Sequence, residues 1–563
     1  MIPLDSYAEV VLVLILLLVL GPPLGRYIAK VYLGRPTLLD PVLSPLERGF
    51  YRLLGTNERI SMGWKEYASS LLLCNGIAIT FVFVLLQLQG GLPGNAFHVP
   101  DMSPSLAFHT AVSFGTNTDF QHYVPERQLS LLGALAGLFP LMFLSPATGM
   151  AALAAMIRGF VRRDGTVGNF WVDLTRTLTR ILIPLSLVGG VLLVFGGVPE
   201  TFLQGVVFHP LSGGTHTLPL GPVAAWDSIE FLGTNGGGYF AANAADPFQN
   251  PSAVTNFIAV VLMMLIPFSS PFAFGIMVRR RGESWPLISA ILAIFLVALG
   301  LFLYAELSNP FLGTLVSQPN GYLYGAESRF TLPESGLFQV ASIYDNVGAT
   351  SMALGSLTPL AQTDLLFGMF LQSTPGGDGT GLGLLLIYVV LSVFVGGLMV
   401  GRTPEYLGKK IGQPQIKWAT VTLLAHPFAI FLPLTVALVS GLGQAAVGGV
   451  SAHAFTVLLY EFTSESANNG SAMGPINDNT AFFNVVGGVV MLVGRYLPIL
   501  AMLAIGGSLA RQDLVPPGPG TLKTQSATFT LLLIGVLVIL AGLLFLPVLA
   551  LGPLSQVIPG GLG

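Results

Sequence analysis

The sequence predicts an all-α integral membrane protein: about ten transmembrane helices, arranged as four repeats around a pseudo-fourfold pore, with one extra helix at each end. Three observations carry this. Of 563 residues, 53% are hydrophobic and only 9% charged, and the mean hydropathy is +0.75, whereas a soluble chain carries about 25% charged residues. Ten runs are long and apolar enough for a hydrocarbon core of about 30 Å, which takes about 20 helical residues to cross. Finally, SFGTNTD (113–119), FLGTNGGG (231–238), DNVGATS (345–351) and ESANNGS (465–471) each join an apolar stub to a Gly- and Asn-rich turn. With Asn117, Gly236, Gly348 and Gly470 as equivalent centres, they stand 119, 112 and 122 residues apart, as expected of one unit used four times.

The spans fall near 6–25, 66–88, 128–157, 181–198, 254–278, 285–305, 380–401, 418–441, 481–506 and 526–550. The first resembles a signal peptide but lacks a basic leader and an A-x-A site. It carries Asp5 and Glu9 in front and Arg26 and Lys30 behind, which predicts a retained anchor with an external N-terminus. Charge tests the count independently. If the odd-numbered junctions are cytoplasmic, 21 of the 24 basic residues lie on that side, only Arg127 and Arg329 lie outside, and Arg495 falls within the ninth span. Both termini and all four turns are then extracytoplasmic.

Ahead of each turn runs a stub of roughly 10–18 residues with a helix-start signal: Ser103-Pro104, Pro222, Ser335 and Ser451. Stubs this short do not span and fit re-entrant half-helices. The resulting unit is helix, half-helix, turn, helix. It divides the chain into an N-terminal helix and loop (1–61), repeats at 62–165, 166–282, 283–412 and 413–515, and a C-terminal helix (516–563).

The turns have the composition that a permeating cation requires. An ion shedding water at membrane depth must meet fixed oxygens, and inward-turned main-chain carbonyls supply them densely. Glycine permits such a backbone, at Gly115, Gly236 to Gly238, Gly348 and Gly470. Thr116, Asn117, Thr118, Thr234, Asn235, Asn346, Asn468, Asn469 and Ser471 are placed to brace it by hydrogen bonds. The half-helix dipoles add their negative ends. A single such loop is an ordinary external turn; four at similar spacing, each behind a non-spanning stub, read as a pore.

The segments TNTDFQHY (116–123), GTNGGGYFAANAADPFQNP (233–251), VGRTPEYLGKK (400–410) and SESANNGSAMG (464–474) resemble the A-subunit family of the Kdp potassium-transporting ATPases. That family belongs to a superfamily of K⁺ transporters with four membrane-pore-membrane repeats, and the resemblance covers essentially the whole chain. It implies a selectivity filter at Gly115, Thr116, Asn117 and Thr118; Thr234, Asn235, Gly236 and Gly237; Asn346, Val347, Gly348 and Ala349; and Asn468, Asn469, Gly470 and Ser471, with Gln121 near the mouth. It also implies K⁺ as the transported ion and a bacterial inner-membrane location. Asp119-Phe120 departs from the usual Asn-Trp of the family, leaving the role of that position open.

The resemblance implies an ATP-driven uptake pump, yet the chain has no G-x-x-x-x-G-K-[ST] loop, no D-K-T-G-T motif and no cytoplasmic segment long enough for a nucleotide domain. By itself it is then expected to be no enzyme and to bind no nucleotide. In the family a P-type ATPase subunit (B) hydrolyses ATP, with a single-span C subunit and a small F subunit as further partners beside membrane lipid. The alternative is a self-sufficient K⁺ channel or ion-coupled symporter of the same superfamily. An intramembrane enzyme is excluded by the lack of H-E-x-x-H and G-x-S-x-G. A net charge of −3 leaves no footprint for nucleic acid, and the single cysteine, Cys74, reads as an apolar packing residue.

Several residues carry two readings. STPGGDGTGLG (373–383), with Gly376, Gly377, Asp378 and Gly379, breaks any helix: either the seventh span is discontinuous and its loop lies beneath the filter as a gate, or the segment is an external loop. Glu230 and Glu461, with Asp227 and Glu465, flank the turns and either concentrate cations at the mouth or hydrogen-bond the turn backbone. Arg495 is either an inner barrier to leak or half of a structural ion pair. Arg402 opens an inner loop, as a topology determinant or as part of that barrier. His109 and His122 have no partner at metal-ligand spacing, so no transition-metal site is expected.

Overall fold

The computed structural model describes residues 7–95, 97–211, 213–307, 325–399, 401, 403–516 and 521–557. Ten helices among them are long and apolar enough to cross a membrane: Ala8–Tyr32, Trp64–Leu86, Gly133–Val161, Phe170–Phe195, Ala253–Met277, Arg281–Leu307, Thr380–Met399, Gln413–Val439, Ala481–Leu509 and Ala527–Leu551. The chain is a multi-pass membrane protein. The third and fifth spans have 78% and 83% of their apolar window buried, against 28%, 22% and 22% for the first, second and tenth, which puts the latter three at the lipid-facing periphery. The first span docks on the fifth through Gly25, where a Cβ would stand 2.6 Å from both Phe272 Cβ and the Ser269 carbonyl. Such close backbone approach is what small residues contribute between membrane helices.

Four short helices alternate with the spans: Pro104–Gly115, Val223–Leu232, Leu332–Tyr344 and Ala452–Ala467. The first begins at the expected Ser103, whose Oγ accepts from Leu106 N (3.4 Å), and the fourth at Ser451, whose Oγ accepts from Ala454 N (3.0 Å). The third begins earlier than Ser335, because Thr331 and Glu334 form a capping box in which Thr331 N donates to Glu334 Oε2 at 2.7 Å. All four are too short to span.

Two sequence expectations change at the face opposite the half-helices. The fourth span starts at Phe170, not near 181, and the third ends at Val161, so Arg158, Arg176 and Arg180 belong to helices and not to a free inner loop. Hydropathy excludes those turns, but the charges are paired: Arg158 binds Asp173 with both amino groups (2.6 and 2.7 Å), and Arg180 binds Glu47 (2.6 Å twice) and also Asp40. Asp40 and Glu47 lie on a helix, Asp40–Leu53, inside what reads from sequence as a loop.

The seventh span is interrupted. A helix Pro359–Leu371 ends at Gln372 in left-handed conformation (φ 54°), residues 373–379 are non-helical, and the helix resumes at Thr380. Residues 370–393 are continuously buried, so the glycine-rich segment is not an external loop. Irregular backbone at this depth occurs only where protein or a cavity surrounds it.

Candidate functional site

Each half-helix delivers its turn to one buried ring. Burial is unbroken over 113–120, 231–238, 341–349 and 461–469. The backbone repeats a two-step pattern: a left-handed residue at Asn117 (φ 62°), Thr234 (49°), Asn346 (54°) and Asn468 (54°), then a second positive φ two residues later at Asp119 (53°), Gly236 (94°), Gly348 (89°) and Gly470 (93°). This sets the register. The equivalent of Gly236, Gly348 and Gly470 is Asp119 and not Asn117, and the first turn runs from Asn117 to Phe120. Gly115 instead closes the half-helix, packed against Ile79, and Thr116 caps it by donating to the Val112 carbonyl at 2.9 Å. The sequence centres were offset by two because the first turn lacks glycine at the second position; Asp, whose short polar side chain tolerates this region, stands there.

The turns interlock in cyclic order. A Cβ at Gly236 would overlap the Val347 carbonyl, one at Gly348 the Asn469 carbonyl, and one at Gly470 the Thr118 carbonyl. Second, third, fourth and first turns are thereby in main-chain contact. Asn117 closes the ring, its Nδ2 donating to the carbonyls of Thr234 (2.5 Å) and Gly233 (3.2 Å). Asn468 Nδ2 donates to Thr118 Oγ1 (2.9 Å) and Asn469 Nδ2 to the Ile343 carbonyl (3.1 Å), crossing from fourth turn to first and to the third half-helix. Asn235 is turned outward, bonded to Met142 O (2.9 Å) and Ile229 O (2.8 Å). The asparagines thus brace main chain, as their type predicts.

Gln121 is the first residue past the first turn that is not fully buried, and its Nε2 donates to the Gly238 carbonyl at 3.1 Å. Glu230 and Glu461 are not at an open mouth. Both are buried on half-helices, Glu230 accepting from Gln249 Nε2 (3.2 Å) and Glu461 lying 3.2 Å from His122 Nε2. The i, i+3/i+4 geometry of a half-helix turns these side chains into the protein while its end carries the turn to the ring.

Beneath the ring is a small cavity lined by Asn117, Asn346, Asn468, Gln372, Gly377 and Arg495. Arg495 makes no ion pair among the described residues. It donates to the Ser145 carbonyl (2.7 Å) and to Thr380 Oγ1 (3.4 Å), and the nearest carboxylates, Asp378 and Asp119, act on it through space and not by direct contact, which leaves a cation under the turns. The broken segment reaches the same place: Asp378 N donates to Thr234 Oγ1 (3.0 Å), Gly376 N to the Tyr344 carbonyl (2.9 Å), and Gly379 packs on the main chain of Gly149. Arg402 lies outside the described residues. A second cavity, lined by Phe370, Gln372, Leu384, His426, Gly494 and Phe545, shares Gln372, Leu384, Gly494 and Pro498 with the first and lies among the seventh, eighth, ninth and tenth spans. It has no signature in the sequence, since its walls come from segments far apart in the chain.

A family model described as "Potassium-transporting ATPase A subunit" matches residues 11–558. The chain is 41% identical over 552 residues to a potassium-transporting ATPase potassium-binding subunit of Geobacillus kaustophilus, covering 98% of both chains. It is 42% identical to the subunit of that name in Alicyclobacillus acidocaldarius, covering 98% of this chain and 99% of the relative. Among solved structures, the potassium transporter TrkH from Vibrio parahaemolyticus aligns with a TM-score of 0.51 at 18% identity, over 86% of this chain and 97% of that one, a likeness of fold. With the match running through every span and all four turns of the ring, the chain belongs to the potassium-transporting ATPase A-subunit family.

Proposed function

We propose that this chain is the K⁺-selective binding and translocating subunit of an ATP-driven uptake pump, admitting K⁺ from the extracytoplasmic side through the ring of turns. The observation that carries the reading is the ring itself: four interlocked main-chain turns, buried and oxygen-rich, each at the carbonyl end of a half-helix. The selecting segments are 117–120, 234–237, 346–349 and 468–471. Arg495 and the loop 376–379 form the floor, its guanidinium repelling a cation that would otherwise leak straight through, and the lateral cavity is the way out towards a P-type ATPase subunit. The relatives named above are potassium-binding subunits of an ATPase, which supports a separate subunit for ATP hydrolysis.

The test is co-purification on a tagged copy of this chain, followed by K⁺-stimulated ATPase assay with Gly236→Asp. The expected result is retained partners with weakened K⁺ stimulation or lost discrimination against Na⁺. Robust ATPase activity from the isolated chain overturns the reading, and ATP-independent uptake by it favours the self-sufficient channel or symporter instead.

A further inference from the structure

A second polar centre lies beside the ring and takes no part in it. His109, on the first half-helix, and His122, just past the first turn, stack with ring centroids 3.7 Å apart and planes at 20°. Local spacing offers these histidines no further ligand, but the fourth repeat brings three carboxylates. Glu465 Oε1 is 3.5 Å from His109 Nε2, Glu461 Oε1 is 3.2 Å from His122 Nε2, and Asp478 Oδ2 is 4.0 Å from the same nitrogen. Both histidines, Glu461 and Glu465 are at most 3% exposed. Among the described residues, neither ring nitrogen of His109 and no carboxylate oxygen of Glu461 or Glu465 has a hydrogen bond. A buried polar group without a partner is costly, the more so if charged, and buried carboxylates are stable when paired or bound to metal.

The arrangement has the features of a cation site. Ligand atoms of His109, His122 and Glu465 lie within 4.8 Å of one another, as do those of His122, Glu461 and Asp478. His122 Nδ1 is 2.8 Å from Asn484 Oδ1, an acceptor, so Nδ1 carries a proton and Nε2 is the nitrogen turned to the carboxylates, free to ligate once it gives up any proton of its own. That outer hydrogen bond is how a metal-ligating histidine is oriented. Room is kept by Gly487 of the ninth span, where a Cβ would overlap Glu465 Oε1. The Asp478 side chain, 18% exposed, opens the cluster to solvent. Imidazole with carboxylate suits zinc and its neighbours and not the hard alkali or alkaline-earth cations, which take oxygen alone.

We infer that His109, His122 and Glu465 form a binding site for a divalent transition cation of the zinc class, joining the first and fourth half-helices beside the ring, with Glu461 and Asp478 beside His122 on its approach. The inference does not depend on the K⁺ pathway. It is tested on the full chain with its co-purifying subunits, stripped by chelator and titrated with Zn²⁺, and with Co²⁺ as a spectroscopic probe. One Zn²⁺ per chain is expected, with ligand-field bands of nitrogen and oxygen coordination for Co²⁺. Glu465→Gln and His109→Asn should each weaken binding by more than about tenfold, while Glu327→Gln, remote from the cluster, should not. Absence of stoichiometric metal or of Co²⁺ bands in the unaltered protein overturns the inference, whatever the variants do. So does undiminished binding in both cluster variants.

Discussion

Gly348→Ala probes the ring at one atom. Its φ of 89° lies where an added Cβ costs about 1 kcal/mol, and the Cβ would overlap the Asn469 carbonyl, with Ser471 N only 2.9 Å away. Both are main chain, and Asn469 is held by its own N–H on the Ser464 carbonyl (2.9 Å) and by Nδ2 on the Ile343 carbonyl (3.1 Å). It has no flexible end to swing aside, so relief must come from displacing the fourth turn, at about 1–3 kcal/mol for an overpacked site. The total is about 2–4 kcal/mol against the intact ring. At 1.4 kcal/mol per tenfold, that is a loss in apparent K⁺ affinity of roughly 30-fold to several hundred-fold. The assay is the K⁺ dependence of ATPase activity in the complex purified on this chain, with Na⁺ and Rb⁺ as competitors. Gly449→Ala is the control, since no described residue lies within 4 Å of a Cβ there and its φ is unremarkable. A Gly348→Ala complex with the K⁺ dependence of the unaltered protein would refute both the interlocked ring and its role in selection.

Three further outcomes are expected. Because Asp119 occupies the position that is glycine in the other three turns, Asp119→Asn should keep K⁺ affinity, whereas β-branched Asp119→Val should lose about tenfold or more at this φ; competition assays distinguish them. Arg495→Gln removes the cation under the ring, and Gly379→Ala pushes the broken segment off Gly149. Each should raise passive K⁺ leak in proteoliposomes without ATP, and unchanged leak in both would count against a floor there. Asp173→Ala strips Arg158 of both its short bonds and Tyr67 of one (2.9 Å). Loss of one partner from a buried pair costs about 3–5 kcal/mol, so the thermal midpoint in detergent should fall markedly, with Asp173→Asn intermediate.

How much of the site was legible depended on the kind of signal. The half-helix starts at Ser103 and Ser451 were readable because a cap is a local hydrogen bond; the start at Leu332 was missed because Thr331 and Glu334 signal it from upstream of the serine chosen. The break in the seventh span was visible in its glycines, and a place beneath the filter was one of its two readings, but the bond from Asp378 N to Thr234 was not legible. Glycine content aligned the turns at Gly236, Gly348 and Gly470, and misplaced the first by two, since an aspartate there does the work of a glycine. His109 and His122 looked partnerless because their neighbours, Glu461 and Glu465, are more than 300 residues away in the chain.

The chain alone determined the membrane class, the ten spans and the fourfold use of a turn, because hydrophobic length and turn chemistry are written in contiguous residues. Only the tertiary structure decided the register of the ring, the place of Arg495 beneath it and the meeting of histidines with carboxylates. Those rest on contacts between different repeats, and a contact across a packed interior is set by how whole helices fit together, which no local pattern encodes.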